Sequence, residues 1–112
     1  FGICLDTANS LGAGEGLETV LNELGPLTVN LHVKDFAVTR VPCLMGFSVS
    51  GRAAGAGQLD IPGLLANLNS FGRCETAALE LWTPPEPQLA DTLAKEAAWA
   101  EQSIAFLRPL FA

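Results

Sequence analysis

Val29-Asn30-Leu31-His32-Val33-Lys34-Asp35-Phe36 is the stretch on which the reading of this chain turns. Apolar residues at 29, 31 and 33 make it a short strand, and that strand ends by presenting the chain's single histidine and then a Lys-Asp pair. Taken alone, His32 reads equally well as a hydrogen-bonded histidine of the fold and as a group placed for chemistry. The segments on either side make the second reading worth following.

Towards the N-terminus, Leu17, Val20, Leu21 and Leu24 recur at helical spacing, and Gly25-Pro26 stops that helix. Before it, Phe1 to Leu5 is an apolar run with too little polarity for a half-exposed strand, so it is expected to be buried on both faces, with Cys4 as a small core residue. A strand, a helix and the strand from Leu27 to Val33 form a βαβ unit, and such a unit makes its two strands parallel. Towards the C-terminus, Asp60 with Pro62 opens a second helix through Leu64, Leu65, Leu68 and Phe71, which Gly72 closes. Thr76 to Trp82 is a third strand, ended by Pro84, Pro85 and Pro87. Ala90 to Leu107 is the clearest helix, with an apolar stripe of Leu93, Ala97, Ala100, Ile104 and Leu107. The order is β-α-β-α-β-α.

Each strand carries a chemically useful residue near its C-terminal end, namely Asp6, His32 and Glu80. Two carboxylates and an imidazole are a ligand set for a divalent metal. For Asp6 alone the simpler role is to open a turn or cap a helix. Residues 37–56 have no clear period and contain Pro42, Gly46, Gly51 and Gly55, so they read as a long loop. Its apolar residues suit a cover over a site, with Phe47 or Arg52 facing a substrate, and equally suit a loop packed on its own scaffold. Gly55-Ala56-Gly57 is either a tight turn or a place where backbone amides approach a substrate oxygen.

With 112 residues, 49% of them hydrophobic, the chain has material for one folded domain. A net charge of −6 with scattered Lys and Arg offers no footprint for a nucleic-acid backbone. No apolar run approaches the roughly 20 residues that span a bilayer, so no membrane partner is expected. Three widely spaced cysteines suit reduced thiols and a cytoplasmic location. The chain starts inside an apolar run without a methionine, and it is read here as residues 1–112 of a longer protein.

The motifs Gly-Ile-Cys-Leu-Asp-Thr-Ala-Asn, Leu-His-Val-Lys-Asp-Phe, Gly-Ala-Gly-Gln-Leu-Asp and Leu-Glu-Leu-Trp, with the spacing Glu96, Trp99, Ser103 and Leu107, resemble the C-terminal part of the sugar phosphate isomerase/epimerase family with a xylose-isomerase-like TIM barrel. The resemblance implies an α/β fold in which 1–112 is one βαβαβα portion of a (β/α)8 barrel, its strands being the sixth, seventh and eighth. Strand C-terminal ends then converge on one mouth, which explains the shared position of Asp6, His32 and Glu80. It also implies that these three bind metal, Mn2+, Mg2+ or Co2+ rather than Zn2+, together with a glutamate from the fifth strand that this chain does not contain. A divalent-metal-dependent isomerase or epimerase of a small sugar, sugar phosphate or polyol follows, working by proton abstraction and an enediolate. In that reading Glu80 and His32 are catalytic, while Asn9, Lys34, Asp35, Phe47 and Arg52 bind substrate or orient the site. Homo-oligomerisation of the full-length protein is left open. An inosose-dehydratase-like lyase and a non-catalytic sugar-binding or scaffolding barrel are the alternatives. Asn9 stands where the family often has histidine, and Val49 and Gly51 stand where the endonuclease IV branch has ligands for further zinc, so that trinuclear site is not expected.

Overall fold

The structure is a computed structural model and describes residues 1–111. It comprises β1 (Ile3–Asp6), α1 (Asn9–Gly12), α2 (Leu17–Leu24), β2 (Thr28–Val33), β3 (Asp35–Arg40), β4 (Phe47–Arg52), α3 (Ile61–Phe71), β5 (Thr76–Leu79) and α4 (Leu89–Leu107). Short 3-10 turns follow α2 and α4. The chain folds as two units. The first contains Phe1–Lys34 and Asp60–Glu80, and the second contains Asp35–Leu59 and the segment from Leu81 on.

In the first unit β1, β2 and β5 form a parallel sheet in the order β1-β2-β5, with β2 central. This is the α/β arrangement that the βαβ pattern predicts, since a strand must return through a helix to lie parallel to its predecessor. Leu5, Leu31 and Val33 are buried, as are Val20 and Leu21 of α2 and Ile61, Leu64, Leu65 and Leu68 of α3. The intervening positions of β1 and β2, Cys4, Asp6, Asn30 and His32, are exposed or half-exposed. One sheet face is therefore apolar and the other polar, because alternate side chains of a strand point to opposite faces. The expectation that β1 is buried on both faces is corrected by this alternation, and Cys4 is exposed rather than a core residue.

Both ends of α3 follow from its sequence. Asp60 Oδ1 accepts from the Gly63 amide at 3.0 Å, which satisfies a donor that the helix itself cannot pair. Gly72 ends the helix with φ +65°, a left-handed conformation that a side chain would strain. α1 follows directly on β1, and Asp6 starts it, since Asp6 Oδ1 accepts from the amides of Ala8 (2.9 Å) and Asn9 (3.0 Å).

In the second unit the long loop expected over residues 37–56 is largely a β-hairpin. β3 and β4 pair antiparallel, with Val38 opposite Val49 and Arg40 opposite Phe47. Most of the hairpin is half-exposed or exposed on both sides, so it lacks the apolar alternation by which a strand is recognised. Helix α4 spans the predicted range and buries Leu107 of the predicted stripe, but the rest of its buried side differs from that stripe. Leu93 and Ile104 are 56% and 47% exposed, whereas Ser103 and Leu107 are buried, with Lys95, Trp99 and Phe106 half-buried along the same side. Ser103 Oγ accepts from the Ala54 amide at 2.9 Å, which accounts for a hydroxyl with no exposure. A Cβ at Gly51 would strike the Trp82 carbonyl, so no ligand side chain fits at that position.

Candidate metal centre

Parallel register sets the site. Asp6 lies opposite His32 across β1 and β2, and His32 lies opposite Ala78 across β2 and β5. Glu80, two residues beyond Ala78, is held by its amide, which donates to the Val33 carbonyl at 3.1 Å. Each of Asp6, His32 and Glu80 offers a ligand atom within 4.8 Å of the others, so the three are brought together at the C-terminal ends of adjacent strands. His32 Nδ1 is 2.9 Å from Glu80 Oε2.

Lys34 enters the same cluster. Its Nζ lies 2.8 Å from Asp6 Oδ2 and 3.1 Å from Glu80 Oε1. The side chains of Asp6 and Lys34 are largely covered, whereas those of His32 and Glu80 are 38% and 47% exposed. Burial works to raise the Asp6 pKa, but the hydrogen bond from Lys34 and those from the Asn9 and Ala8 amides outweigh it, and the carboxyl titrates below its ordinary value. For Lys34 the hydrogen bond to Asp6 exceeds the opposing effect of burial, Glu80 adds to it, and the ammonium is held above its ordinary value. Asp6, Lys34 and Glu80 are thus a charged triplet with His32 at its open side.

Thr7 is a positioning residue that sequence reasoning missed. It is 2% exposed, and its Oγ1 donates to the Lys34 carbonyl at 2.7 Å and accepts from the Lys34 amide at 2.9 Å. Its own amide donates to the His32 carbonyl at 3.3 Å. The end of β1 is in this way stitched to the end of β2, which fixes the spacing of Asp6 and His32. A hydroxyl directly after a strand-end carboxylate was the available signal.

The other expected site residues have local roles. Asn9 is exposed at the start of α1 and uses its amide on Asp6. Asp35 does not present a free carboxylate to a substrate: it is 3% exposed, and its Oδ1 accepts from Phe36 and Leu59 while Oδ2 accepts from Gly55 and Gly57, all backbone amides. This also explains Gly55-Ala56-Gly57, because a Cβ at Gly57 would collide with Asp35. Arg52 is half-exposed and donates to Ser50 Oγ at 3.0 Å and to the Gly51 carbonyl at 2.8 Å. Phe47 is exposed at the start of β4. Asp35, Arg52 and Phe47 all belong to the second unit. Among the described residues no helix is long and apolar enough to cross a membrane.

No protein-family model matches the chain. It is 35% identical over 106 residues to the 3-oxo-isoapionate decarboxylase of Pectobacterium atrosepticum. The match takes in 95% of this chain and 38% of that enzyme, so the chain spans less than two fifths of the length of this curated relative.

Proposed function

We propose that this chain is the three-stranded C-terminal portion of a (β/α)8 barrel enzyme that binds a divalent ion through Asp6, His32 and Glu80 and acts on a small keto sugar or sugar acid. The observation that carries the reading is the convergence of those three ligand atoms, each from a different strand end, within 4.8 Å. Strand ends are rigid supports, and in a barrel they are where active sites form. The barrel is supported by the parallel order β1-β2-β5 with helices in the connections between its strands.

The donor set fits the ion. Two carboxylates and one imidazole are hard, oxygen-rich ligands that suit Mn2+, Mg2+ or Co2+. An ion held there would supply Lewis acidity at a substrate carbonyl, stabilising negative charge delivered to its oxygen. The remaining chemistry belongs to the protein's side chains. Glu80 is the more exposed carboxylate, and with His32 Nδ1 at 2.9 Å it can hold and pass a proton. Asp6, anchored by two backbone amides and Lys34, stays ionised and serves as a fixed ligand.

Decarboxylation of a 3-oxo sugar acid is the reaction favoured by the relative's name. The bond to the carboxylate carbon breaks, its electron pair moves towards the carbonyl oxygen, carbon dioxide leaves, and Glu80 or its partner His32 delivers a proton to the carbon left behind. Isomerisation or epimerisation is the reading favoured by the four motifs, and it uses the same residues with Glu80 taking a proton from the carbon next to the carbonyl. Both need a carbonyl made electron-poor beside a poised carboxylate.

The test uses the full-length polypeptide. Stoichiometric Mn2+ is expected after equilibration and gel filtration, and Asp6→Ala should abolish it. Glu80→Gln should lower turnover by about 10²- to 10⁴-fold, the usual effect of removing a general acid or base. Carbon dioxide release from 3-oxo sugar acids marks a decarboxylase, and solvent deuterium entering keto sugars without carbon loss marks an isomerase. A protein that holds no divalent ion would refute the reading.

A further inference from the structure

The two strands of the β3–β4 hairpin differ in what covers their outer edges. On β3, Val38 donates its amide to Gln58 Oε1 at 2.7 Å, and the Phe36 carbonyl accepts from the Gln58 amide at 2.8 Å. Both groups point away from β4. In an antiparallel ladder a residue's amide and carbonyl point to the same side, successive residues alternate, and residues opposite each other are turned both inward or both outward. Val49 lies opposite Val38 and Phe47 opposite Arg40, so Phe47 and Val49 turn amide and carbonyl to the outer edge of β4. Among the described residues no backbone group beyond the hairpin bonds to them there. The Trp82 carbonyl lies against Gly51, which leaves residues 47–49 as the bare stretch of that edge.

A bare strand edge is a template for another strand, and natural sheets guard such edges with charged side chains, proline or a bulge. Phe47-Ser48-Val49-Ser50-Gly51 has no charge and no proline, and its register with β3 runs unbroken. Phe47 is exposed, as are Leu44 and Met45 in the turn before it. The edge also matches itself. Laid antiparallel on a second copy about a two-fold axis beside Ser48, it sets Phe47 opposite Val49 and serine opposite serine. Apolar side chains then share one face and hydroxyls the other. Phe47 and Val49 become hydrogen-bonded pairs across the new seam, and every outward amide and carbonyl of both residues gains a partner. No like charges are set opposite each other, because Arg40 is on β3 and Arg52 lies past the bare stretch.

We propose that β4 pairs antiparallel with β4 of a second copy, giving the full-length polypeptide a two-fold dimer with a continuous sheet in the order β3-β4-β4-β3. Assembly stops at the dimer, because the two-fold axis consumes both bare edges and Gln58 already closes the β3 edges. β4 belongs to the second unit, so the pairing does not depend on the metal-site reading.

The experiment is sedimentation equilibrium of the full-length polypeptide, where the wild type is expected to be a dimer. Val49→Pro removes an outward amide that the hairpin does not use, as a proline on an edge strand can. It is expected to weaken dimerisation by roughly tenfold or more, since the two-fold axis makes the loss count twice. Ser48→Lys sets two ammonium groups opposite each other and is expected to weaken the dimer at low salt and to recover at high salt, a response the wild type lacks. Ser48→Cys is expected to crosslink the dimer on mild oxidation beyond the level of the wild type with its exposed Cys43, because Cα atoms in a non-hydrogen-bonded antiparallel pair are about 4.5 Å apart, within reach of a disulfide. Circular dichroism establishes that each variant is folded, and if Val49→Pro is not, the two Ser48 variants decide. A wild type that stays monomeric at its highest soluble concentration, a dimer that a folded Val49→Pro or Ser48→Lys leaves intact, or a Ser48→Cys protein that crosslinks no more than the wild type overturns the pairing.

Discussion

Replacing Asp35 by asparagine isolates the contribution of one buried carboxylate. Asp35 Oδ1 accepts from the amides of Phe36 (2.8 Å) and Leu59 (3.2 Å), and Oδ2 accepts from Gly55 and Gly57 (both 2.9 Å). Asparagine keeps the shape and one acceptor oxygen, but it puts an amino group where the other oxygen stood. That group donates, so two backbone donors then face a donor in a place that is 3% exposed. Each lost bond to an ionised acceptor is worth about 1.5–3 kcal/mol, and the orphaned donors cannot recover it from water without opening the loop. Two such losses amount to roughly 3–6 kcal/mol, a large part of the 5–15 kcal/mol that stabilises an ordinary domain. Chemical denaturation should report the loss as a lower midpoint at unchanged slope. Hydrogen exchange should report it locally, as faster exchange of the Gly55 and Gly57 amides than of those in α3. A loss under about 1 kcal/mol with protection at both glycines intact would refute the assignment of these bonds.

Stability should also depend on pH through the ion pair at the candidate site. The Asp6 value is depressed, so its contribution is present above the ordinary value of 3.8 and is lost as pH falls through the lower folded value. The Lys34 value is raised, so its contribution is complete below 10.5 and is lost as pH rises through the higher folded value. In metal-free protein, Lys34→Met should flatten both flanks relative to the wild type, and an unchanged acid flank would show that Lys34 does not hold Asp6. Thr7→Val removes a buried hydroxyl from both Lys34 backbone groups and should cost about 1–3 kcal/mol by thermal or urea unfolding, together with weaker Mn2+ binding, because the β1 and β2 ends lose their shared fastening. Asp60→Ala should destabilise α3 by about 1 kcal/mol, the usual effect of losing an N-cap, visible as faster exchange of the Gly63 amide.

How much of the candidate site the residues reveal depends on which interaction is asked about. Asp6, His32 and Glu80 could be placed at equivalent ends because strand length and turn residues mark where a strand stops, and parallel strands joined through helices bring their like ends together. The caps of α3 were legible for a similar reason, since Asp60 and Gly63 are three residues apart and Gly72 needs only its own φ. The bridging of two carboxylates by Lys34 was not legible. Asp6 and Glu80 lie 28 and 46 residues from it in the sequence (34 − 6 and 80 − 34), and only the register of three strands decides which charges meet. Asp35 illustrates the same point: a carboxylate close to His32 in sequence reads as part of its site, yet three of its four partners are backbone amides 20 to 24 residues away.

The amino-acid sequence by itself determined the order β1, α2, β2, α3 and β5 in the first unit, the parallel pairing of its strands and the end of the sheet at which the polar residues gather, because these follow from local periodicity and from chain connectivity. Tertiary structure alone decided that residues 35–52 pair as a hairpin, that α4 buries Ser103 rather than Ile104, and that Thr7 and Lys34 complete the cluster around Asp6. The physical reason is common to all three. A half-exposed strand, a helix with apolar residues on more than one side and a long charged side chain each have several local solutions of similar energy, and the choice among them is made by a partner that the chain brings up from a distance.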